Sequence, residues 1–168
     1  MLQPVTGAVI AAPKIAAAQS GEYLTFRLGA EEYGIDILRV QEIRRWEQPT
    51  PLGDEPRFIA GVINLRGAIV PVVDMRIRFG LGEAACDMFT VVVMLNLGGR
   101  IVGMVVDAVT DVITLQPEQI HPAPEFSAAF DLQYVSGLGT VDNRMLILVD
   151  IEKLMNSADM ALTESVVH

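Results

Sequence analysis

The sequence is poor in the residue types that carry chemistry. A single cysteine, Cys86, excludes an intramolecular disulfide framework and a zinc site built on thiolates. Its ordinary reading is a small buried apolar residue of a protein kept in a reducing compartment. Of the two histidines, His121 falls in a proline-rich connection and His168 is the last residue, and neither reads as a base or a ligand. There is no GxxxxGK[ST] phosphate loop, no GxGxxG after a strand, no GxSxG elbow and no HExxH. Asp107 and Asp111 are acids at helical spacing, but they fall where strand and turn are expected and lack a third oxygen ligand nearby. Gly137-Leu-Gly139 reads as a strand bend. The expectation is no catalytic residue, no metal and no cofactor.

Long apolar runs and basic excess are also missing. Blocks such as Met88 to Leu95 and Met145 to Val149 fall well short of the roughly 18 residues of a membrane-spanning helix. With 12 Lys and Arg against 21 Asp and Glu, the formal charge of −9 repels phosphate backbones and anionic lipid, so nucleic-acid binding and membrane attachment are disfavoured. Met1 to Ser20 is Ala-rich, but it has no positive residue before Lys14 and contains Pro4 and Pro13. It therefore reads as a mobile tail, not a signal peptide.

What the chain does have is β-branched bulk. Hydrophobic residues make up 51%, and Val and Ile together number 34, about one residue in five, which favours strands. Tyr23 to Arg27 alternate, and turn signals recur at Gly29-Ala-Glu-Glu, Gly53-Asp-Glu-Pro, Arg66-Gly, Gly98-Gly-Arg and Asp142-Asn. Ten strands follow: 22–29, 32–38, 42–45, 57–65, 68–74, 89–97, 100–107, 111–115, 133–141 and 144–150.

These strands form two similar sets of five. An offset of 69 carries Leu28-Gly29 onto Leu97-Gly98, Gly34-Ile35 onto Gly103-Met104, and Glu42-Ile43 onto Asp111-Val112. An offset of 76 carries Gly61-Val62 onto Gly137-Leu138 and Val73-Asp74-Met75 onto Val149-Asp150-Ile151. Two all-β units, each closing into a small barrel and sharing an apolar seam, are expected, because closure removes exposed edges and neither half buries much surface alone. Pro71 calls for a strand edge or a bulge. The run from Asp150 to Ser157 reads as a C-terminal helix, Asp74 to Phe79 as a shorter turn of the same kind, and Gln116 to Glu125 as a surface connection.

The remaining candidates lie on the surface. The hairpin Asn64-Leu-Arg-Gly67 projects Arg66, and Val40-Gln-Glu-Ile-Arg-Arg-Trp46 alternates apolar and charged residues. Trp46 suits either an interface anchor or packing under its own loop. If the two segments lie side by side, Glu42 and Arg66 pair by charge-assisted hydrogen bonds within an apolar setting, which describes a docking surface.

The strings Glu31-Glu-Tyr-Gly-Ile-Asp-Ile-Leu, Val40-Gln-Glu-Ile, Phe58-Ile-Ala-Gly-Val-Ile-Asn-Leu-Arg-Gly-Ala-Ile-Val-Pro-Val-Val-Asp-Met-Arg, Ile101-Val-Gly-Met-Val-Val-Asp, Pro122-Ala-Pro-Glu-Phe and Arg144-Met-Leu-Ile-Leu-Val-Asp-Ile closely resemble the CheW family of bacterial chemotaxis coupling proteins. The resemblance runs from about Gly21 to Leu162, leaving tails at 1–20 and 163–168. It implies two SH3-like five-stranded barrels, interleaved and divided at roughly 21–85 and 86–155, with short helical turns and a C-terminal helix. It also implies an adaptor without catalytic activity, cytoplasmic and associated with membrane-bound receptor arrays, linking chemoreceptor cytoplasmic tips to the regulatory domain of the histidine kinase CheA. By matching position, Val40, Glu42, Ile43 and Arg66 are the implied receptor contacts, and Glu125 and Phe126 the implied kinase contacts. A Phe on a proline-rich loop is costly to expose unless a partner buries it, although packing back onto its own barrel is the alternative. His121 departs from the Arg common at its position in the family. An enzyme built on the barrels lacks the convergent polar groups it needs, and without an ATP-binding segment a free-standing adaptor is expected over the kinase's own regulatory domain.

Overall fold

The computed structural model describes residues 21–81, 86–123 and 132–157; both tails lie outside the described residues. Eleven strands are found among them: β1 Glu22–Leu28, β2 Glu31–Asp36, β3 Val40–Arg45, β4 Ile59–Leu65, β5 Ala68–Asp74, β6 Val91–Leu97, β7 Arg100–Val106, β8 Ala108–Thr114, β9 Ile120–His121, β10 Val135–Val141 and β11 Arg144–Val149. Two short helices, α1 Met75–Arg78 and α2 Ile151–Met155, each follow an Asp whose side chain accepts a backbone N–H of the first turn, Asp74 from Arg76 and Asp150 from Lys153. The strand not expected is β9. A 3-10 turn at Pro117–Gln119, closed by reciprocal bonds between Gln116 and Gln119, delivers Ile120 and His121 into register with Gly139 and Leu138. The start of β6 slips to Val91 because Asp87 to Thr90 is a turn, tied by Asp87 N–H to Thr90 Oγ1 at 2.9 Å and Phe89 N–H to Asp87 Oδ1 at 2.8 Å.

The strands form two SH3-like subdomains, one sheet ordered β8-β1-β2-β11-β10-β9 and the other β3-β6-β7-β5-β4. The sheets do not follow a boundary near residue 85. That boundary separates the two sequence repeats, whereas each subdomain takes its first hairpin from one repeat and its remaining strands from the other. Parallel contacts knit the exchange: Gly34 opposite Leu148, and Gly103 opposite Val72. These two pairs are related by the same 69- and 76-residue offsets, so the internal symmetry holds at the level of register. Both glycines sit in tight spaces, since a Cβ on Gly34 would press on the Leu148 side chain at 3.0 Å and one on Gly103 on the Val92 side chain at 3.0 Å.

Alternation along the strands divides the core. On β6, Val92 and Met94 face the interior of the five-stranded barrel with Ile63, Val70 and Val72. Val93, Leu95 and Leu97 point the other way, into a larger cluster with Leu24, Phe26, Ile35 and Val106. This larger cluster is the shared seam. Each fully buried aliphatic or aromatic side chain contributes about 1.5–3 kcal/mol, so most of the apolar stabilisation sits between the barrels and not inside either. Over the seam, the Arg78 guanidinium lies 5.8 Å from the Phe58 ring and 5.9 Å from the Tyr134 ring, two aromatics that the 76-residue offset equates.

Pro71 is neither on an edge strand nor at a bulge. It pairs with Val62 of β4, and β7 joins β5 only from Val72 onward, so its outer flank has no neighbouring strand. The bulge falls instead between Ile59 and Gly61, where Gly61 takes φ 144°. A Cβ there would sit 2.3 Å from the Thr50 carbonyl oxygen, which accepts the Val62 N–H at 2.9 Å. Glycine is therefore what lets the Thr50 segment close against β4. Its repeat partner Gly137 does the same for β9, with a Cβ that would approach the His121 oxygen at 3.0 Å.

Candidate functional site

The candidate docking face begins at β3, an edge strand of the five-stranded sheet. Its ladder with β6 pairs Val40 with Leu95 and Glu42 with Met94, so Gln41 is an extra, bulged residue. The bulge decides which way each side chain points. Val40 packs against the seam cluster, and Ile43, opposite the seam-facing Val93, shares that face and is 44% exposed. Glu42 pairs with the barrel-facing Met94 and turns toward the barrel mouth.

There it meets Arg66. The β4–β5 hairpin turns through Arg66 at φ 51° and Gly67 at φ 89°, two positive values in succession, which is the geometry of a tight two-residue hairpin loop. Asn64 Oδ1 accepts the Gly67 N–H at 2.9 Å and locks the turn. Arg66 Nη2 donates to Glu42 Oε1 at 2.9 Å, with the Arg side chain 70% exposed. Arg44 adds a looser contact to Glu42 at 3.9 Å and one to Glu47 at 3.3 Å. An exposed pair of this kind is worth only about 0–1 kcal/mol to stability. What it does is hold a guanidinium with donors to spare on the hairpin that also carries the exposed apolar Ile69.

The sequence-predicted positions thus divide. Glu42 and Arg66 come together, while Val40 and Ile43 lie on the opposite face of the same edge strand. Glu125 and Phe126 lie outside the described residues. Trp46 is half-buried and packs against the five-stranded barrel's core. Cys86 is exposed, not buried as the composition suggested. Its Sγ lies 3.6 Å from the guanidinium of Arg76. His121 is exposed and 3.3 Å from Thr140 Oγ1. Asp107 accepts from the Gly29 N–H at 2.8 Å and from Arg76 at 3.2 Å, which is a structural employment. Among the described residues there is no cluster of His, Cys, Asp and Glu able to hold a metal ion, and no helix long and apolar enough to cross a membrane.

One constellation was missed in the sequence. Arg144, at the β10–β11 hairpin, donates to Glu32 of β2 and, at 3.2 Å, to Asp111 of β8. Thr25 and Thr110 hydroxyls complete it. The 69-residue offset carries Glu42 onto Asp111, but the 76-residue offset carries Arg66 onto Asp142, so the repeat alone does not point to Arg144. Partial burial pushes the Glu32 carboxyl up, but bonds from Arg144 and Thr110 outweigh it and hold the group below its ordinary range. Bonds from Arg144 and Thr25 do the same for Asp111. Both folded-state values are lowered, so the stability they confer is present above the unfolded carboxylate pKa and is lost as pH falls through the folded values. Arg144→Gln is accordingly expected to destabilise the protein at neutral pH, with the deficit shrinking as pH drops below about 4. Urea unfolding midpoints at neutral and acid pH check this, and a deficit of equal size at both would contradict it.

The chain is similar over most of its length to known proteins. The CheW-like domain family matches residues 22–159. A chemotaxis protein CheW of Klebsiella aerogenes is 55% identical over 145 residues, which cover 86% of this chain and 87% of that protein. A probable chemotaxis protein CheW of Rhizobium etli is 36% identical over 138 residues, 82% of this chain and 89% of the relative. The solved structure of the scaffolding protein TtCheW from Thermoanaerobacter tengcongensis superposes with a TM-score of 0.75 at 33% identity, covering 82% of this chain and 93% of that one.

Proposed function

The chain belongs to the CheW-like family of chemotaxis scaffold proteins, and on that footing we propose that it is a non-catalytic adaptor coupling chemoreceptor cytoplasmic tips to the regulatory domain of the histidine kinase CheA. The observation that carries this reading is the Glu42–Arg66 pair at 2.9 Å, held on a tight hairpin that also carries exposed Ile69, with exposed Ile43 on the other face of the same edge strand. A helical tip lying over the edge of β3 reaches both faces of the strand at once. Val40 and Ile43 then receive its apolar stripe, and Arg66 pairs with a carboxylate on its flank, in the manner of helix-in-groove recognition.

The adaptor works cytoplasmically, in membrane-bound receptor arrays. Its output is geometric: the kinase is held against a receptor tip, and the two signalling states of the tip bias kinase activity through differential contacts. Glu125 and Phe126 supply the kinase contact. Phe126→Ser is therefore expected to weaken binding to the CheA regulatory domain about tenfold, the loss of one well-buried aromatic anchor, while binding to a receptor-tip fragment stays unchanged. Titrations against each partner separately check this. Equal losses against both would contradict a kinase-specific role for the segment.

A further inference from the structure

We propose that Arg45 is the residue by which the β3 edge selects an acidic position on the helix it receives, an inference that rests on the receptor-docking reading above. The register of β3 against β6 sets its place. Val40, Ile43 and Arg45 stand opposite Leu95, Val93 and Val91, and these three belong to the seam cluster or pack against it. Val40, Ile43 and Arg45 therefore share one face of the strand, whereas Glu42 and Arg44 stand opposite the barrel-facing Met94 and Val92 on the other. Along the shared face the side chains emerge step by step: Val40 is partly buried, Ile43 is 44% exposed and Arg45 is exposed. An apolar row thus ends in a cation, on the face that Arg66 does not occupy.

Among the charged groups of this edge, Arg45 carries the unbalanced charge. Arg66 bonds Glu42 at 2.9 Å, and Arg44 bonds Glu47 at 3.3 Å and lies 3.9 Å from Glu42, so these two guanidinium groups are set against two carboxylates. Among the described residues Arg45 makes no ion pair and no side-chain hydrogen bond. Its surroundings are apolar or already engaged. Val91 is its partner across the ladder, and the turn leading into β6 reaches the same end of β3 through the Trp46 N–H on the Thr90 carbonyl at 3.2 Å. The carboxylate of that turn, Asp87, accepts the Phe89 N–H at 2.8 Å and the Thr90 hydroxyl at 3.3 Å. A partner's carboxylate is therefore the counter-charge that the edge lacks. The spacing says where the partner carries it. Alternate residues on a strand lie about 7 Å apart, and four residues of helix rise about 6 Å. A helix laid along β3 matches Val40, Ile43 and Arg45 with positions i, i+4 and i+8, two apolar residues followed by Asp or Glu, while its other flank meets Arg66.

The test titrates the full chain with a helical-bundle fragment of a chemoreceptor tip. Arg45→Glu is expected to weaken binding at least about fivefold and Arg45→Lys less than about twofold, and the loss in Arg45→Glu is expected to vanish at about 1 M salt, where the screening length is about 3 Å. The urea unfolding midpoint of both variants is expected to equal that of the natural chain, since Arg45 holds no other group in place. A fragment whose acid after the apolar i, i+4 pair is replaced by Lys is expected to bind the natural chain more weakly and Arg45→Glu more tightly than the unaltered fragment does. A bound fragment indifferent to Arg45→Glu, a loss that persists at 1 M salt, or a charge swap that restores nothing would overturn the role of Arg45 and leave the docking reading standing. A natural chain that does not bind the fragment at all would overturn both.

Discussion

Arg66→Glu is expected to lower affinity for a chemoreceptor-tip fragment by at least about tenfold while leaving the unfolding midpoint and binding to the kinase regulatory domain unchanged. The side chain is 70% exposed and, among the described residues, pairs with Glu42, so the fold loses little when it goes. Binding loses more. Charge reversal places a second carboxylate beside Glu42, turning a site that offers a guanidinium to an anion into one that repels it. The hairpin itself survives, because Gly67 and the Asn64 cap define the turn and Glu replaces Arg without changing either. Receptor binding equal to that of the natural chain would remove the Glu42–Arg66 pair from the docking surface.

Arg76→Met acts on the opposite quantity. Arg76 is 2% exposed and grips Asp74 through Nε at 2.9 Å and Nη2 at 3.0 Å, with Nη1 on Asp107 at 3.2 Å. Its guanidinium is driven further toward the charged form by the Asp74 bonds, against the opposing effect of burial. Asp74 is itself buried and also caps α1 by accepting the Arg76 N–H at 3.0 Å. Removing the cation leaves a buried carboxylate without its counter-charge, a change that typically costs about 3–5 kcal/mol. The double variant Arg76→Met with Asp74→Asn is expected to lose less than the two single changes together, since the stranded charge is then gone. A single-variant loss below about 1 kcal/mol in urea unfolding would show the pair to be dispensable.

Much of this was readable from the chain, and the unreadable part has physical causes. Repeating glycines disclosed the two halves because Gly34, Gly61, Gly103 and Gly137 each stand where a neighbouring segment leaves little room for a Cβ. The exchange of hairpins between halves was implied by the family resemblance alone and was not readable in periodicity or spacing. β1–β2 and β6–β7 make the same antiparallel contacts whichever barrel they join, and only the parallel pairs, Gly34 with Leu148 and Gly103 with Val72, distinguish the arrangements. Glu42 and Arg66 were readable as partners, since Asn-Leu-Arg-Gly announces a tight turn and opposite charges pair. That Val40 would face away from them was not, because a bulge at Gln41 changes the face of every residue before it and has no composition of its own, whereas Ile43 faces away by the ordinary alternation of a strand. Cys86 misled for another reason: its burial was inferred from residue type, whereas it is exposed, with Sγ 3.6 Å from Arg76.

In the proposed function one surface serves the receptor, a separate one serves the kinase, and the two are occupied together. It is tested most directly by calorimetric titration of the full chain with a receptor-tip bundle and with the CheA regulatory domain, first separately and then with the other partner already saturating. The account predicts binding to each alone and undiminished binding of the second in the presence of the first. Binding to neither partner, or exclusion of one by the other, would contradict it.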